Sequence, residues 1–425
     1  MKILIKSGRV IDPANKIDEV MDILVEDDKI ARVARKIKNG SEKIIEAEGK
    51  IVMPGIVDMH VHLREPGRED KETISSGTQA ALAGGVTSVL AMPNTEPAID
   101  SLANIEILKE AIQKSSKANV FICAVITKGR QGEELSDIAG LKKAGAVAIS
   151  DDGGSVDADN LMLEALRQAK KEDLLVICHS EDKKLSAGGQ VNLGFTSTRL
   201  GLRGVSSQSE YKRIERDIGL AEKTGARVHI AHLSCKESVE VITRAKKKGI
   251  RVTCETAPHY FTFNEEAVLG YDTNFKMNPP LRSPADLLAM RNALANGTID
   301  VIASDHAPHT ANEKDIEFER AEFGVIGLET ELAAAVSELI GNNLLDWSKL
   351  VVKMSLNPSR ILGINKGTLS IGADADIILV DPHKEWLVKK ENFLSKSNNS
   401  SFLGRRLKGF VEYTICQGKV YQWNS

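Results

Sequence analysis

The chain has 425 residues, 42% of them hydrophobic and 27% charged, with a formal net charge of −3 and a pI of about 6.4. That near-neutral balance offers no basic surface to nucleic acid, and no apolar run reaches the length of a membrane span. Five scattered cysteines (Cys123, Cys178, Cys235, Cys254, Cys416) form no Cys-x-x-Cys pair, and Met1-Lys2-Ile3-Leu4-Ile5-Lys6 is too interrupted for a signal peptide, so reduced thiols in the cytoplasm are expected.

The first fifty residues read as short strands. Ile3-Leu4-Ile5 leads into Gly8-Arg9-Val10-Ile11-Asp12-Pro13, and Asp22-Ile23-Leu24-Val25-Glu26 precedes the turn pair Asp27-Asp28. Alternation with closely spaced turn residues predicts a small antiparallel sheet. From 54 to 365 apolar strands alternate with helical stretches, one of them at 101–115 with Asp100 or Ser101 as its cap. Besides the run that ends in His60 and His62, strand-like segments fall at 86–91, 120–125, 146–150, 174–178, 227–231, 250–254 and 301–304. Eight strands with helices between them predict an α/β chain built as a (β/α)8 TIM-type barrel. A doubly wound open sheet is the alternative, but no Gly-x-Gly-x-x-Gly follows the first strand. After 366 the texture of the N-terminus returns at 372–382, 410–415 and 417–420. Residues 1–53 and 366–425 are therefore expected to pair into one small composite β-sandwich domain, with the barrel at 54–365 as a continuous insertion.

Chemistry in such a barrel sits where strands end and loops begin. Residues two apart on a strand share a face, so His60 and His62 offer two imidazoles to one point. Later strand ends supply Asp151-Asp152, His179, His232 and Asp305-His306, giving nitrogen and oxygen donors from five strands on one rim. Asp151 and Asp152 oppose each other, and spacing does not choose between them. His229 and His232, three apart, face opposite sides; His232 at the strand end is the better ligand, and His229 is expected to pack between barrel and helices. In Ser304-Asp305-His306-Ala307-Pro308-His309, an acidic group and His309 read as functional, while His306 supports the turn. His259 has no assigned role, and His383 belongs to the satellite domain.

Asp58-Met59-His60-Val61-His62-Leu63-Arg64-Glu65-Pro66-Gly67 resembles the signature of bacterial type I dihydroorotases, within the cyclic amidohydrolases. Met92-Pro93-Asn94-Thr95, Ser150-Asp151-Asp152-Gly153, Cys178-His179-Ser180-Glu181-Asp182, Glu255-Thr256-Ala257-Pro258-His259-Tyr260, Lys276-Met277-Asn278-Pro279-Pro280 and Ser304-Asp305-His306-Ala307-Pro308-His309 resemble the same group. The resemblance implies that His60, His62 and Asp305 hold one zinc ion and His179 and His232 a second, with Asp152 between them. One or two Zn2+ per subunit follow, two favoured. It further implies that Arg64, Asn94 and Asn278, with His62, His309 and the backbone at Phe323 and Gly324, bind the substrate. A guanidinium suits a planar carboxylate because it donates two parallel hydrogen bonds.

Two departures stand out. Many cyclic amidohydrolases bridge their metals with a carboxylated lysine from the fourth strand, and here Ile149-Ser150-Asp151-Asp152 has none. Glu322 stands where proline is expected. The implied reaction is zinc-dependent, reversible cyclisation of N-carbamoyl-L-aspartate to L-dihydroorotate in pyrimidine synthesis, with Asp305 as general base. The charge-rich segment 310–323 is expected to be a mobile lid. The rival readings are an allantoinase or hydantoinase, and a non-catalytic homologue serving as an assembly partner. A homo-oligomer, a dimer first, and a complex with aspartate transcarbamoylase are further expectations.

Overall fold

The computed structural model describes residues 2–38, 40 and 43–424. Eight short parallel strands form its centre: β1 (Ile56–Val61), β2 (Val86–Ala91), β3 (Asn119–Ala124), β4 (Ala146–Ile149), β5 (Leu175–Cys178), β6 (Val228–Ile230), β7 (Val252–Thr256) and β8 (Val301–Ile302). They pair in chain order. The ring closes where Val61 bridges His306 in parallel, with the His62 N–H donating to the His306 carbonyl at 2.9 Å. This is the barrel the alternating pattern predicts. Helices cover its outside, so most strand residues are buried and strands such as β4 and β5 read as continuous apolar runs. All six residues of β1 are buried, including Asp58 and His60.

Local signals set the helix starts. Ser101 caps the helix Leu102–Ser115, its hydroxyl accepting from the Asn104 N–H at 3.3 Å. Ser283 and Asp286 form a reciprocal capping box on Pro284–Asn296, with proline at the first turn where a missing N–H costs nothing.

The two ends of the chain meet in one eight-stranded mixed sheet. Strand Ile51–Pro54 pairs antiparallel with Ile377–Leu387, Val52 opposite Leu379, and this pairing joins the N-terminal strands to the C-terminal ones. Strand Lys2–Asp12 takes two parallel partners in succession, Lys43–Glu46 along its first half and Ile51–Pro54 along its second. A register shift between Ile5 and Gly8 separates them. A Cβ at Gly8 would lie 2.4 Å from Val52 Cγ2, so only glycine permits the close approach. The sheet encloses its own apolar core around Ile3, Val25, Val52, Ile377 and Ile415.

Asp376 ties sheet to barrel. Its carboxylate accepts from Lys366 Nζ at 2.7 Å and from Asn119 Nδ2 at 2.9 Å, and its carbonyl accepts from the Gly55 N–H at 2.9 Å. Replacing Asp376 with alanine removes an acceptor that two half-buried donors share with Asp374 and the Thr87 carbonyl, and is expected to cost about 2 kcal/mol. At this chain length that is a fall of roughly 2 °C in Tm by thermal denaturation. Lys408→Ala, which removes the exposed pair to Glu385, should leave Tm unchanged.

Candidate active site

Each of the five strand ends delivers its donor to one buried point at the mouth of the barrel. His60 and His62 come from the end of β1, Asp152 follows β4, His179 follows β5, His232 follows β6 and Asp305 follows β8. All six side chains are buried. The backbone leaves strand geometry to aim them: φ is 35° at His232 and 49° at Asp305, and it is also positive, 62°, at Arg64. Left-handed backbone at non-glycine residues is costly and clusters where function demands it. Asp58 fixes the seam beneath, one oxygen accepting from the His60 N–H at 3.0 Å and the other from the Ser304 N–H at 3.2 Å. Burial pushes the Asp58 carboxyl up to about 7.

Asp152 stands in the middle. Its Oδ1 lies 3.3 Å from His60 Nε2, 3.6 Å from His179 Nδ1 and 3.9 Å from His232 Nε2, and its Oδ2 lies 3.5 Å from His62 Nε2. Asp305 Oδ1 is 3.5 Å from His62 Nε2 and 3.6 Å from His60 Nε2. Two groupings, His60-His62-Asp305 and His60-Asp152-His232, hold their donor atoms within 4.8 Å of one another. Two donors each about 2.1 Å from a tetrahedral ion lie about 3.4 Å apart, so the spacings are those of shared ligands. His60 Nε2 and Asp152 Oδ1 are buried with no hydrogen bond among the described residues. His179 Nδ1 and His232 Nε2 face each other at 2.8 Å. Orphaned donors of this nitrogen and oxygen chemistry fit a divalent cation, and the cluster can hold a metal ion. Asp151 is turned away: Oδ1 accepts from the Ile126 and Thr127 N–H groups at 2.8 and 3.0 Å, and Oδ2 from the Thr127 hydroxyl.

Outer partners orient the imidazoles. His60 Nδ1–H donates to Glu255 Oε1 at 2.6 Å, which turns the Nε2 lone pair to the centre. Glu255 Oε2 accepts from His229 Nε2 at 3.1 Å, and His229 Nδ1 accepts from the Thr253 hydroxyl at 2.8 Å. Burial opposes a charge on Glu255, but the two imidazoles hold it down at about 2. His229, expected to pack behind the barrel, is part of this chain instead. The parity argument fails because β6 ends at Ile230 and the chain turns at His232. From the sequence Glu255 has no assigned role; a carboxylate inside the mostly buried β7 strand is its signal. His62 Nδ1 donates to Asn94 Oδ1 at 2.7 Å, so Asn94 supports a ligand as well as lining the site.

A cationic patch adjoins the cluster. Arg64 Nε donates to the Pro308 carbonyl at 3.2 Å, and its terminal nitrogen lies 3.5 Å from His309 Nε2. Lys71 Nζ donates to His309 Nδ1 at 3.2 Å, and His309 Nε2 donates to the Phe323 carbonyl at 2.8 Å. Burial, with Arg64, Lys71 and Lys314 beside it, pushes His309 far down and keeps it neutral, while burial pushes Arg64 down to about 10. Gly324 packs against this histidine with φ 127°; a Cβ there would lie 2.7 Å from Ala307 Cβ and 3.1 Å from His309 Nε2. Asn278 Nδ2 donates to Glu181 Oε2 at 3.1 Å, and that oxygen lies 3.5 Å from His179 Nε2. His306 supports the turn, its Nδ1 accepting from the Gly327 N–H at 3.2 Å with Nε2 3.3 Å from Glu72. His259 is buried against Tyr260, outside both donor groupings, and His383 is exposed in the terminal sheet. The Glu322 N–H donates to the Glu313 carbonyl at 3.1 Å, a bond proline would forfeit.

Fold and site together define a cyclic amidohydrolase. The structure resembles that of the L-hydantoinase (dihydropyrimidinase) from Arthrobacter aurescens with a TM-score of 0.89 and 25% identity, covering 98% of this chain and 95% of the other. The Dihydro-orotase-like family profile matches residues 49–238. A dihydroorotase from Elusimicrobium minutum is 54% identical over 420 residues, 99% of this chain and 97% of its own. One from Pelotomaculum thermopropionicum is 52% identical over 421 residues, covering 99% and 98%. The chain belongs to the dihydroorotase family.

Removing the partner of a metal-ligating histidine typically weakens metal binding by about 10–100-fold. Glu255→Ala is expected to do so in a zinc titration against a chromophoric chelator; unchanged affinity would show that Glu255 does not orient His60.

Proposed function

We propose that the protein is a zinc-dependent dihydroorotase, interconverting N-carbamoyl-L-aspartate and L-dihydroorotate in pyrimidine synthesis. The observation that carries this reading is the cationic patch of Arg64, Lys71 and neutral His309 directly beside the His60, His62 and Asp305 donors. A substrate with a carboxylate next to a cyclic amide fits that juxtaposition, whereas hydantoin has no carboxylate to give Arg64. Five free, buried cysteines favour a reducing compartment, the cytoplasm. Among the described residues no helix is long and apolar enough to cross a membrane.

His60, His62 and Asp305 would hold one zinc ion and His179 and His232 another, with Asp152 shared. Two ions are favoured because the Asp152 carboxylate reaches donors of both sets, Oδ2 lying 3.5 Å from His62 Nε2 and Oδ1 3.6 Å from His179 Nδ1. Zinc, when bound, polarises a carbonyl and lowers the pKa of water at the site. The remaining work belongs to the chain. Arg64 pairs with the substrate carboxylate through its planar fork. Asn94, Asn278 and the Phe323–Gly324 backbone hold the ring, and His309, kept neutral, donates or accepts a hydrogen bond without repelling Arg64. Asp305 serves as general base, taking a proton from the attacking water and returning it to the departing ring nitrogen. Cyclisation runs the same transfers backwards.

Zinc-loaded protein should turn over dihydroorotate and leave allantoin and hydantoin untouched; turnover of hydantoin alone would reassign the substrate. His309→Ala should lower kcat/KM by about 100-fold with zinc content intact. Loss of zinc from that variant would place His309 among the ligands instead.

A further inference from the structure

The segment that follows His309 is tied down by two lysines that the proposed chemistry does not use. Lys276 is only 1% exposed. Its Nζ donates to the carbonyls of Phe318 at 2.7 Å, Glu319 at 3.1 Å and Ala321 at 2.5 Å, and lies 4.5 Å from the centroid of the Phe323 ring. Lys314, also buried, donates to the carbonyls of Glu322 at 2.8 Å and Gly324 at 2.9 Å, and more distantly to that of Lys276 at 3.4 Å. Neither ammonium forms an ion pair among the described residues, which is rare for buried lysine. Burial pushes Lys276 down to about 8; burial and the neighbouring Lys276 push Lys314 down to about 7.

A methionine would fill either position without stranding a charge, so simple packing does not call for lysine here. What an ammonium adds is inward pull on carbonyls. Between 318 and 324 the carbonyls of five residues face the two ammoniums, and that of Phe323 faces His309 Nε2. The Gly324 N–H is used as well, donating to the Lys276 carbonyl at 2.9 Å. The Phe323 N–H has no hydrogen bond among the described residues and is left for a ligand.

We propose that Lys276 and Lys314 are positioning residues for substrate binding: by drawing the carbonyls of 318–324 inward, they set the Phe323–Gly324 backbone against His309 at the mouth of the site. The inference rests on the dihydroorotase reading for its substrate, but not for its loop geometry. Lys276 and Lys314 act before chemistry, so their loss should appear in KM and not in kcat.

Three measurements on the zinc-loaded full chain test this. In Lys276→Met and Lys314→Met, KM for dihydroorotate should rise about tenfold or more, with kcat within about threefold and zinc content unchanged. Hydrogen exchange should quicken in 314–324 and stay as in the native protein in the barrel strands. In Lys276→Ala, propylammonium should restore KM and propanol should not. KM within about twofold of the native value, unaltered loop exchange, or equal rescue by propanol would each overturn the proposal. If Lys276→Met fails to fold, Lys314→Met, at the loop's own stem, decides. A native protein that does not turn over dihydroorotate refutes the function, while loop exchange still judges the lysines.

Discussion

Four imidazoles and two carboxylates packed into one buried volume are the constraint on which the rest of the structure depends. Without a cation, inward nitrogen lone pairs oppose carboxylate oxygens at 3.3–3.9 Å, and burial denies them water. Such an arrangement persists only if the scaffold holds it. The scaffold does so by backing three of the imidazoles with polar partners: Glu255 behind His60, Asn94 behind His62, Glu181 near His179. These partners come from β7 and from the segments after β2 and β5, so the barrel's register becomes the geometry of the site. Binding free energy at the centre is then spent less on ordering ligands than it would be in a flexible chain.

The charge arrangement divides the mouth into two halves with different tasks. The side of Asp152 and Asp305 is suited to cations, and that of Arg64 and Lys71 to anions. His309 lies on the border, and its neutrality is forced by burial together with the cations around it. A substrate that carries both an anionic group and a polarisable amide spans the border naturally. The same division explains why Lys71 also meets Glu313 at 2.9 Å: that carboxylate, further out, balances the patch without entering the cluster.

Much of this could be read from the chain, for reasons that are local. His60 and His62 share a face because strand periodicity is two, and Asp305, His179 and His232 each follow an apolar run. Asp152 was different. The strand stops at Ile149, so parity has no meaning at 151 and 152, and only the hydrogen bonds of Asp151 to Ile126 and Thr127 distinguish the pair. The support beneath the site was illegible for a further reason. His229 meets Thr253 because β6 and β7 pair in that register, a fact of tertiary structure that neither strand displays alone. Lys276 and Lys314 left no signal because their partners are backbone carbonyls, which every residue has. The loop expected to move is accordingly one with a folded interior.

The ring of strands closes between Val61 and His306, and the donors nearest that closure come from opposite ends of the barrel segment. His60 and Asp305 are 245 positions apart in the chain, so no local stretch can bring them together. Loop closure of this span is among the slowest contacts a domain makes. A nascent chain that has built seven strands therefore owns only part of a coordination sphere. The His60-His62-Asp305 set is completed only with the final strand, and capture of an ion there would certify that the barrel has closed.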